Sequence, residues 1–132
     1  MIIDTSALIA ILWDEPDAAL YTDAIEREPN RRMSAGTLLE ALIVIDRKGG
    51  PVTRGLLDEL LRSAEVDVVP VTIEQALIGE SAHQSFGKGR HPARLTYGDC
   101  FAYALAKQTG EPLLFKGNDF SQTDLRSALD AN

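Results

Sequence analysis

The opening dozen residues, Met1-Ile2-Ile3-Asp4-Thr5-Ser6-Ala7-Leu8-Ile9-Ala10-Ile11-Leu12, constrain the fold more than any other stretch of the chain. A short apolar run containing two β-branched residues predicts a buried strand, and Thr5-Ser6 supply helix-start chemistry ahead of a second apolar run. Asp4 then falls at the C-terminal end of a central strand, beside the start of a helix, where open α/β sheets bind ligands. Two readings of this carboxylate stand side by side: it caps the helix, as Asp often does, or it holds a cation.

The rest of the chain keeps alternating. Asp14-Glu15-Pro16-Asp17 predicts a helix with proline at its first position, running to Arg27-Glu28 before Pro29. Arg31-Arg32-Met33 reads as a short strand, and Ser34 opens a strongly apolar helix closed by Lys48-Gly49-Gly50. Leu56, Leu57, Leu60 and Leu61 mark another helix, Val66 to Val71 a strand, and Thr72 to about Phe86 a further helix. After a loop from Gly87 to Arg94 come a helix over Thr96 to Gln108, a short buried strand at Leu113-Leu114-Phe115, and a final helix from Ser121 to Leu129. Strands alternating with helices imply a parallel sheet sandwiched by helices. With no repeat or linker, the expectation is one α/β domain over residues 1–132.

Twenty acids against thirteen basic residues give a formal charge of −7, which argues against holding nucleic acid by bulk electrostatics but not against a site whose ligands are carboxylates. The single cysteine, Cys100, excludes an internal disulfide and fits a reducing cytoplasm. Asp4 interrupts the first apolar run too early for a signal peptide, and no apolar stretch is long enough to span a membrane.

Four acids do not belong on a polar helix face. Asp4 ends the first strand, Glu40 sits inside Leu38-Leu39-Glu40-Ala41-Leu42-Ile43, Asp99 starts an apolar helix, and Asp119 follows the third strand. A lone buried carboxylate is expensive, so such groups are paired or bound to a cation. Thr37-x-x-Glu40 and Thr96-x-x-Asp99 also have the form of capping boxes. Glu40 fits that form less well, since Ser34 is the earlier helix start. Asp99 fits it well, and the helix dipole that favours an acid there also suits a metal ligand. As a set, acids at strand ends and helix starts can converge on one crevice, with the oxygen ligands Mg²⁺ takes. Paired metals there would activate water and stabilise a leaving oxygen in phosphodiester cleavage.

Ile2-Ile3-Asp4-Thr5-Ser6-Ala7-Leu8, Ser34-Ala35-x-Thr37-Leu38-Leu39-Glu40-Ala41, Tyr97-Gly98-Asp99-Cys100-Phe101-Ala102-Tyr103-Ala104-Leu105-Ala106 and Leu113-Leu114-Phe115-Lys116-Gly117-Asn118-Asp119-Phe120 occur in this order. Together they resemble a PIN-domain ribonuclease, and most nearly the VapC toxins of bacterial toxin–antitoxin pairs. By position, Asp4, Glu40 and Asp99 match the family's three principal acids and Asp119 a fourth, more variable one. Many relatives carry a further acid where this chain has Gly117. Asp124 is the rival for the fourth place, although Ser121-Gln122-Thr123-Asp124 itself has capping-box form. Ser6 matches a small polar position that supports the metal site.

The resemblance implies a three-layer domain with a central parallel sheet flanked by helices. It implies Mg²⁺- or Mn²⁺-dependent hydrolysis of RNA, with Asp4, Glu40, Asp99 and Asp119 as catalytic and metal-holding residues and products bearing 5′-phosphate and 3′-hydroxyl ends. A VapB-like antitoxin, with a basic side chain entering the acidic crevice, and a homodimer are the implied partners. The alternative is a PIN-like module that binds RNA or protein without cutting; retention of all four acids tells against it.

Between Glu80 and Asp99 there is no acid, while Lys88, Arg90, His91 and Arg94 are present. This local reversal of charge suits contact with RNA phosphates, and equally a solvated loop. Lys116, near Asp119, is a second phosphate-binding expectation. His83 and His91 have no zinc-ligand spacing with any cysteine. Cys100 reads as a packed thiol rather than a nucleophile. Gly87-x-Gly89 lacks the strand-to-helix context of a phosphate loop.

Overall fold

The computed structural model describes residues 1–130. Four strands, β1 (Ile2–Ile3), β2 (Arg32–Ser34), β3 (Asp67–Val69) and β4 (Leu113–Leu114), form one sheet in the order β3-β2-β1-β4, and every pairing is parallel. Between them run α1 (Thr5–Leu12), α2 (Ala18–Arg27), α3 (Ala35–Lys48), α4 (Gly50–Ser63), α5 (Ile73–Phe86) and α6 (Tyr97–Thr109). Side chains alternate across a strand, and the two central strands show it directly. Ile3 and Leu114 enter one core with Met33 of β2 and with Leu8, Tyr21, Ile45 and Leu57, supplied by α1 to α4. Ile2 and Leu113 enter the other with Leu95, Tyr103, Leu105 and Phe115, on the side of α5 and α6. Ile2, Ile3, Leu113 and Leu114 are wholly buried. At about 1.5–3 kcal/mol for each such side chain, their burial holds strands only two residues long. The layered parallel architecture expected from the alternating pattern is present.

Several boundaries differ from expectation, each for a local reason. Pro16 precedes α2 rather than starting it; the helix begins at Ala18 with Asp17 as N-cap. The short strand is Arg32–Ser34, and Ser34 also caps α3 by accepting from the Gly36 N–H. Gly50, with φ of +81°, turns the chain directly from α3 into α4, so α4 starts well before its leucines. The strand expected over Val66 to Val71 is confined to Asp67–Val69 at the sheet edge.

The final helix expected from Ser121 to Leu129 is absent. Only a single 3₁₀ turn forms, Phe120–Gln122, and the chain then runs beside β4. Leu113 N–H donates to Arg126 O, and Ala128 N–H donates to Leu113 O, forming a parallel bridge between Leu113 and Ser127. Leu125, Ala128 and Leu129 are spaced like a helical face, yet Leu125 packs into one core and the other two into the opposite core. The open edge of β4 offers unpaired backbone groups, and pairing with it satisfies both partners.

The parallel arrangement carries Asp4, Ser34 and Lys116, the residues at or just beyond the C-terminal ends of β1, β2 and β4, to one edge of the sheet.

Candidate active site

Asp4 caps α1 with one oxygen and leaves the other without a partner among the described residues. Its Oδ2 accepts the Ser6 N–H at 3.0 Å and the Ser6 hydroxyl at 2.6 Å, capping α1. Its Oδ1 is buried and has no hydrogen-bond partner among the described residues. The residue is 3% exposed, and burial, reinforced by the charges of Asp99 and Glu40, pushes its pKa up to about 7 against the opposing Ser6 hydrogen bonds. Ser6 does more than hold Asp4. Its hydroxyl oxygen accepts the Lys116 N–H at 2.9 Å and so ties the end of β4 to the start of α1.

Glu40 projects from the second turn of α3. Its Oε1 lies 2.7 Å from the Thr5 hydroxyl, whose proton it accepts, while its carboxylate rests against Gly98 in the first turn of α6. Asp99, one residue further along α6, receives the Thr96 N–H on Oδ2 at 2.9 Å, and Thr96 Oγ1 accepts the Asp99 N–H in return, completing a capping box. Burial raises the pKa of both acids. The Thr5 bond opposes this in Glu40 and the Thr96 bonds in Asp99, while Asp99 adds repulsion to Glu40 and Asp119 adds repulsion to Asp99. The four acids thus form one chain of mutual repulsion: Asp119 acts on Asp99, and Asp99 acts on Glu40 and Asp4. Asp119 itself is exposed at the rim, past β4.

Asp4, Glu40 and Asp99 share one state. Each commits one oxygen to the protein, and the other accepts no hydrogen bond among the described residues. Such a donor set fits a hard divalent cation, which takes carboxylate oxygens and keeps several waters. Among the described residues no group of three His, Cys, Asp or Glu side chains is already drawn together tightly enough to hold an ion.

The remaining expectations separate. Asp124 lies elsewhere: Tyr103 donates to its Oδ1 at 2.7 Å and Lys107 to its Oδ2 at 2.6 Å. Burial alone would raise its pKa, but these partners outweigh burial and lower it. Lys116 does not stand free to meet a phosphate, because its ammonium is bound by Glu15 at 2.6 Å and by Asp17 at 3.0 Å. Lys88, Arg90 and Arg94 are exposed on a loop closed at its base by the Gly87–Leu95 bridge, and they make no ion pair among the described residues. Burial, then Asp99, pushes the Cys100 thiol up, which disfavours a thiolate nucleophile. A cavity of about 440 Å³ lies between α5 and α6 against Gln75, His83, Tyr97 and Phe101 and includes none of the four acids.

Two contributors escape a reading of acids alone. Thr5 registers in sequence as a helix-start hydroxyl, but its partner Glu40 is 35 residues away. Gly98 is signalled only by being a glycine in the first turn of a helix. No described helix is long and apolar enough to cross a membrane.

Comparison with known proteins identifies the family. The family model of the PIN domain matches residues 1–125. Ribonuclease VapC28 of Mycobacterium tuberculosis is 53% identical over 98% of both chains. Ribonuclease VapC of Mycolicibacterium smegmatis is 51% identical over 95% of this chain and 97% of its own. Among solved structures, Mycobacterium tuberculosis VapC20, described as a sarcin-ricin loop cleaving toxin, superposes with a TM-score of 0.72 at 20% identity, covering 94% of this chain and 95% of its own. A toxin–antitoxin complex from Klebsiella pneumoniae gives 0.66 at 16% identity, covering 93% of this chain and 92% of its own. At those identities the structural likeness is one of fold. The match along nearly the whole length, with sequence relatives half identical, places the chain in the PIN-domain family, among the VapC ribonucleases.

Proposed function

We propose that the protein is an Mg²⁺- or Mn²⁺-dependent endoribonuclease toxin, neutralised by a VapB-like antitoxin. The observation that carries this reading is the half-satisfied state of Asp4, Glu40 and Asp99, above all the buried, unpartnered Oδ1 of Asp4. A structural acid in so dry a place is expected to have both oxygens paired. When bound, the cation supplies Lewis acidity, making the attacking water more acidic and offsetting charge on the phosphate.

The protein side of the mechanism follows from the contacts. Asp4 is fixed by Ser6, Glu40 by Thr5 and Asp99 by Thr96, so three carboxylates are aimed from three elements. Asp119 is the fourth acid, at the solvent side. Water rather than a side chain is the attacking group in this reading, and burial, which pushes the Cys100 thiol up, disfavours a thiolate nucleophile. Lys88, Arg90 and Arg94 hold the RNA backbone beside the acids. By the resemblance to PIN-domain ribonucleases, hydrolysis leaves 3′-hydroxyl and 5′-phosphate ends.

A basic antitoxin side chain would fill the crevice as a substitute cation. Exposed Trp13 at the end of α1 and Leu20, Leu39, Ile43, Val52 and Leu56 on α2 to α4 offer apolar surface for that partner and for a second copy in a homodimer. The test is RNA cleavage by the purified protein with Mg²⁺ or Mn²⁺, with chelator, and as Asp4→Asn. Undiminished cleavage in chelator, or cyclic phosphate ends, would overturn the metal-dependent hydrolysis. Harmless expression without any antitoxin would overturn the toxin assignment.

A further inference from the structure

Helices α3 and α6 meet through two reciprocal notches. Gly36 of α3 receives the Phe101 ring of α6, and Gly98 of α6 receives the Glu40 carboxylate of α3. We propose that Gly98 is a positioning residue, whose missing side chain makes the space in which Glu40 holds its carboxylate beside Asp99. This rests on the reading of these acids as metal-holding groups.

Gly98 is not required by the backbone. It lies inside a regular helix, and it is not among the glycines with positive φ. Glycine there forgoes the helix propensity that alanine would give. What it gains is room. A Cβ at position 98 would stand 2.6 Å from Glu40 Cδ and 3.2 Å from Oε1, and closer still to Oε2. Opposite this wall, the Thr5 hydroxyl holds Oε1 at 2.7 Å. The carboxylate is clamped between a donor on α1 and a bare backbone on α6.

The two notches differ in what would yield. At Gly36 the obstacle is an aromatic ring that is itself packed edge-on against Tyr97, with ring centroids 5.0 Å apart. At Gly98 the obstacle is the far end of a flexible side chain. Adding a methyl at 36 therefore disturbs packing, whereas adding one at 98 displaces the carboxylate and leaves the fold in place.

The experiment compares Gly98→Ala, Gly36→Ala, Glu40→Gln, Glu40→Ala and the doubles Gly98→Ala/Glu40→Gln, Gly98→Ala/Glu40→Ala and Gly98→Ala/Glu40→Asp. The readouts are Mn²⁺ affinity by calorimetry, thermal midpoint without metal, and RNA cleavage. Gly98→Ala is expected to weaken Mn²⁺ binding about 10–100-fold, the range for residues that orient ligands, without lowering the midpoint. It should add almost nothing to the loss in Glu40→Gln. With Glu40→Ala it should raise the midpoint, and the shorter Glu40→Asp should recover part of the lost affinity. Gly36→Ala should lower the midpoint while its folded molecules bind Mn²⁺ as the parent does. If Gly98→Ala binds Mn²⁺ like the parent, or its loss adds fully to that of Glu40→Gln, the proposal falls. It falls equally if Gly98→Ala/Glu40→Ala fails to fold, since Glu40 would not then be the obstacle. Absence of Mn²⁺ binding in the parent would instead overturn the metal-holding reading itself.

Discussion

Asp4 and Asp124 are treated in opposite ways by the same protein. Asp124 has a tyrosine hydroxyl on one oxygen and an ammonium on the other, and its pKa is lowered. Asp4 has one oxygen tied to Ser6 and the other buried without a partner, and its pKa is raised to about 7. The contrast extends around the molecule. Glu15 and Asp17 share Lys116, and Glu111 pairs with Arg32, whereas Glu40 and Asp99 have no cation at all among the described residues. Acids that hold the fold have been given their counter-charges. Asp4, Glu40 and Asp99 have been denied theirs, and a buried, uncompensated carboxylate persists only where something else supplies the compensation.

The largest expected effect breaks the comparison at its centre. Asp4→Asn or Asp99→Asn should reduce RNA cleavage by about 100-fold or more, since each removes a charge that only the cation-bound state uses. RNA binding should persist, strengthened by the loss of repulsion. Neither change should destabilise the metal-free fold through charge, because the charge was unfavourable there. Asp124→Asn should do the converse, costing about 1 kcal/mol of stability after allowance for its exposure while leaving the chemistry intact. Cleavage assays and urea unfolding on the three variants distinguish these outcomes. Equal loss of cleavage in all three would show that paired and unpaired acids do not divide by role.

A second expectation concerns pH. The native Asp4 carboxyl keeps its proton up to about pH 7, whereas the unfolded chain releases it near the ordinary value of 3.8. Between those values the native state binds more protons, so metal-free stability falls as pH rises and levels off above about 7. Glu40 and Asp99 are raised as well and act in the same direction. The total decline is on the order of a few kcal/mol. Saturating Mg²⁺ should remove it, because the metal and the proton compete for the same oxygens. Unfolding midpoints from pH 4.5 to 8, with and without Mg²⁺, measure both effects; a metal-free stability that rises over this range contradicts the raised pKa values.

Smaller still is the effect of the basic loop. Alanine at Lys88, Arg90 and Arg94 together should weaken RNA binding and flatten its dependence on salt, by about 0.7 in logarithmic slope for each single-strand phosphate no longer neutralised. Mn²⁺ affinity should not change. An unaltered salt slope would assign the loop to solvent.

What the sequence discloses and what it hides divide along the same physical line. The strand ending in Asp4, the capping box at Asp99 and the misplaced Glu40 are legible because local chemistry and hydrophobic context mark them within a few residues. The pairing of Lys116 with Glu15 and Asp17 is not, since about a hundred residues separate the partners. The terminal segment misleads for a related reason. Leu125, Ala128 and Leu129 have helical spacing, but the unpaired edge of β4 competes for their backbone and wins. Gly98 is visible as a glycine, yet its reason is a side chain brought from another helix.

Lys116 gives the smallest effect and the sharpest test of whether pairing decides role. Its position just after β4 and near Asp119 suggests a phosphate contact, and Glu15 and Asp17 hold the ammonium and raise its pKa. A cation already balanced by two carboxylates contributes little to the field felt by RNA, and moving to a phosphate would leave those acids without a partner. Lys116→Ala should therefore change RNA affinity less than any single substitution at Lys88, Arg90 or Arg94, with the salt slope unaltered. Its backbone N–H, which reaches Ser6 and through it Asp4, is kept in the variant, so Mn²⁺ binding should also be retained. Titrations of RNA at several salt concentrations decide the matter. A drop in slope as large as that for one of the loop residues would mean that Lys116 leaves Glu15 and Asp17 when RNA arrives, and that pairing in the free protein does not fix a charged group's role.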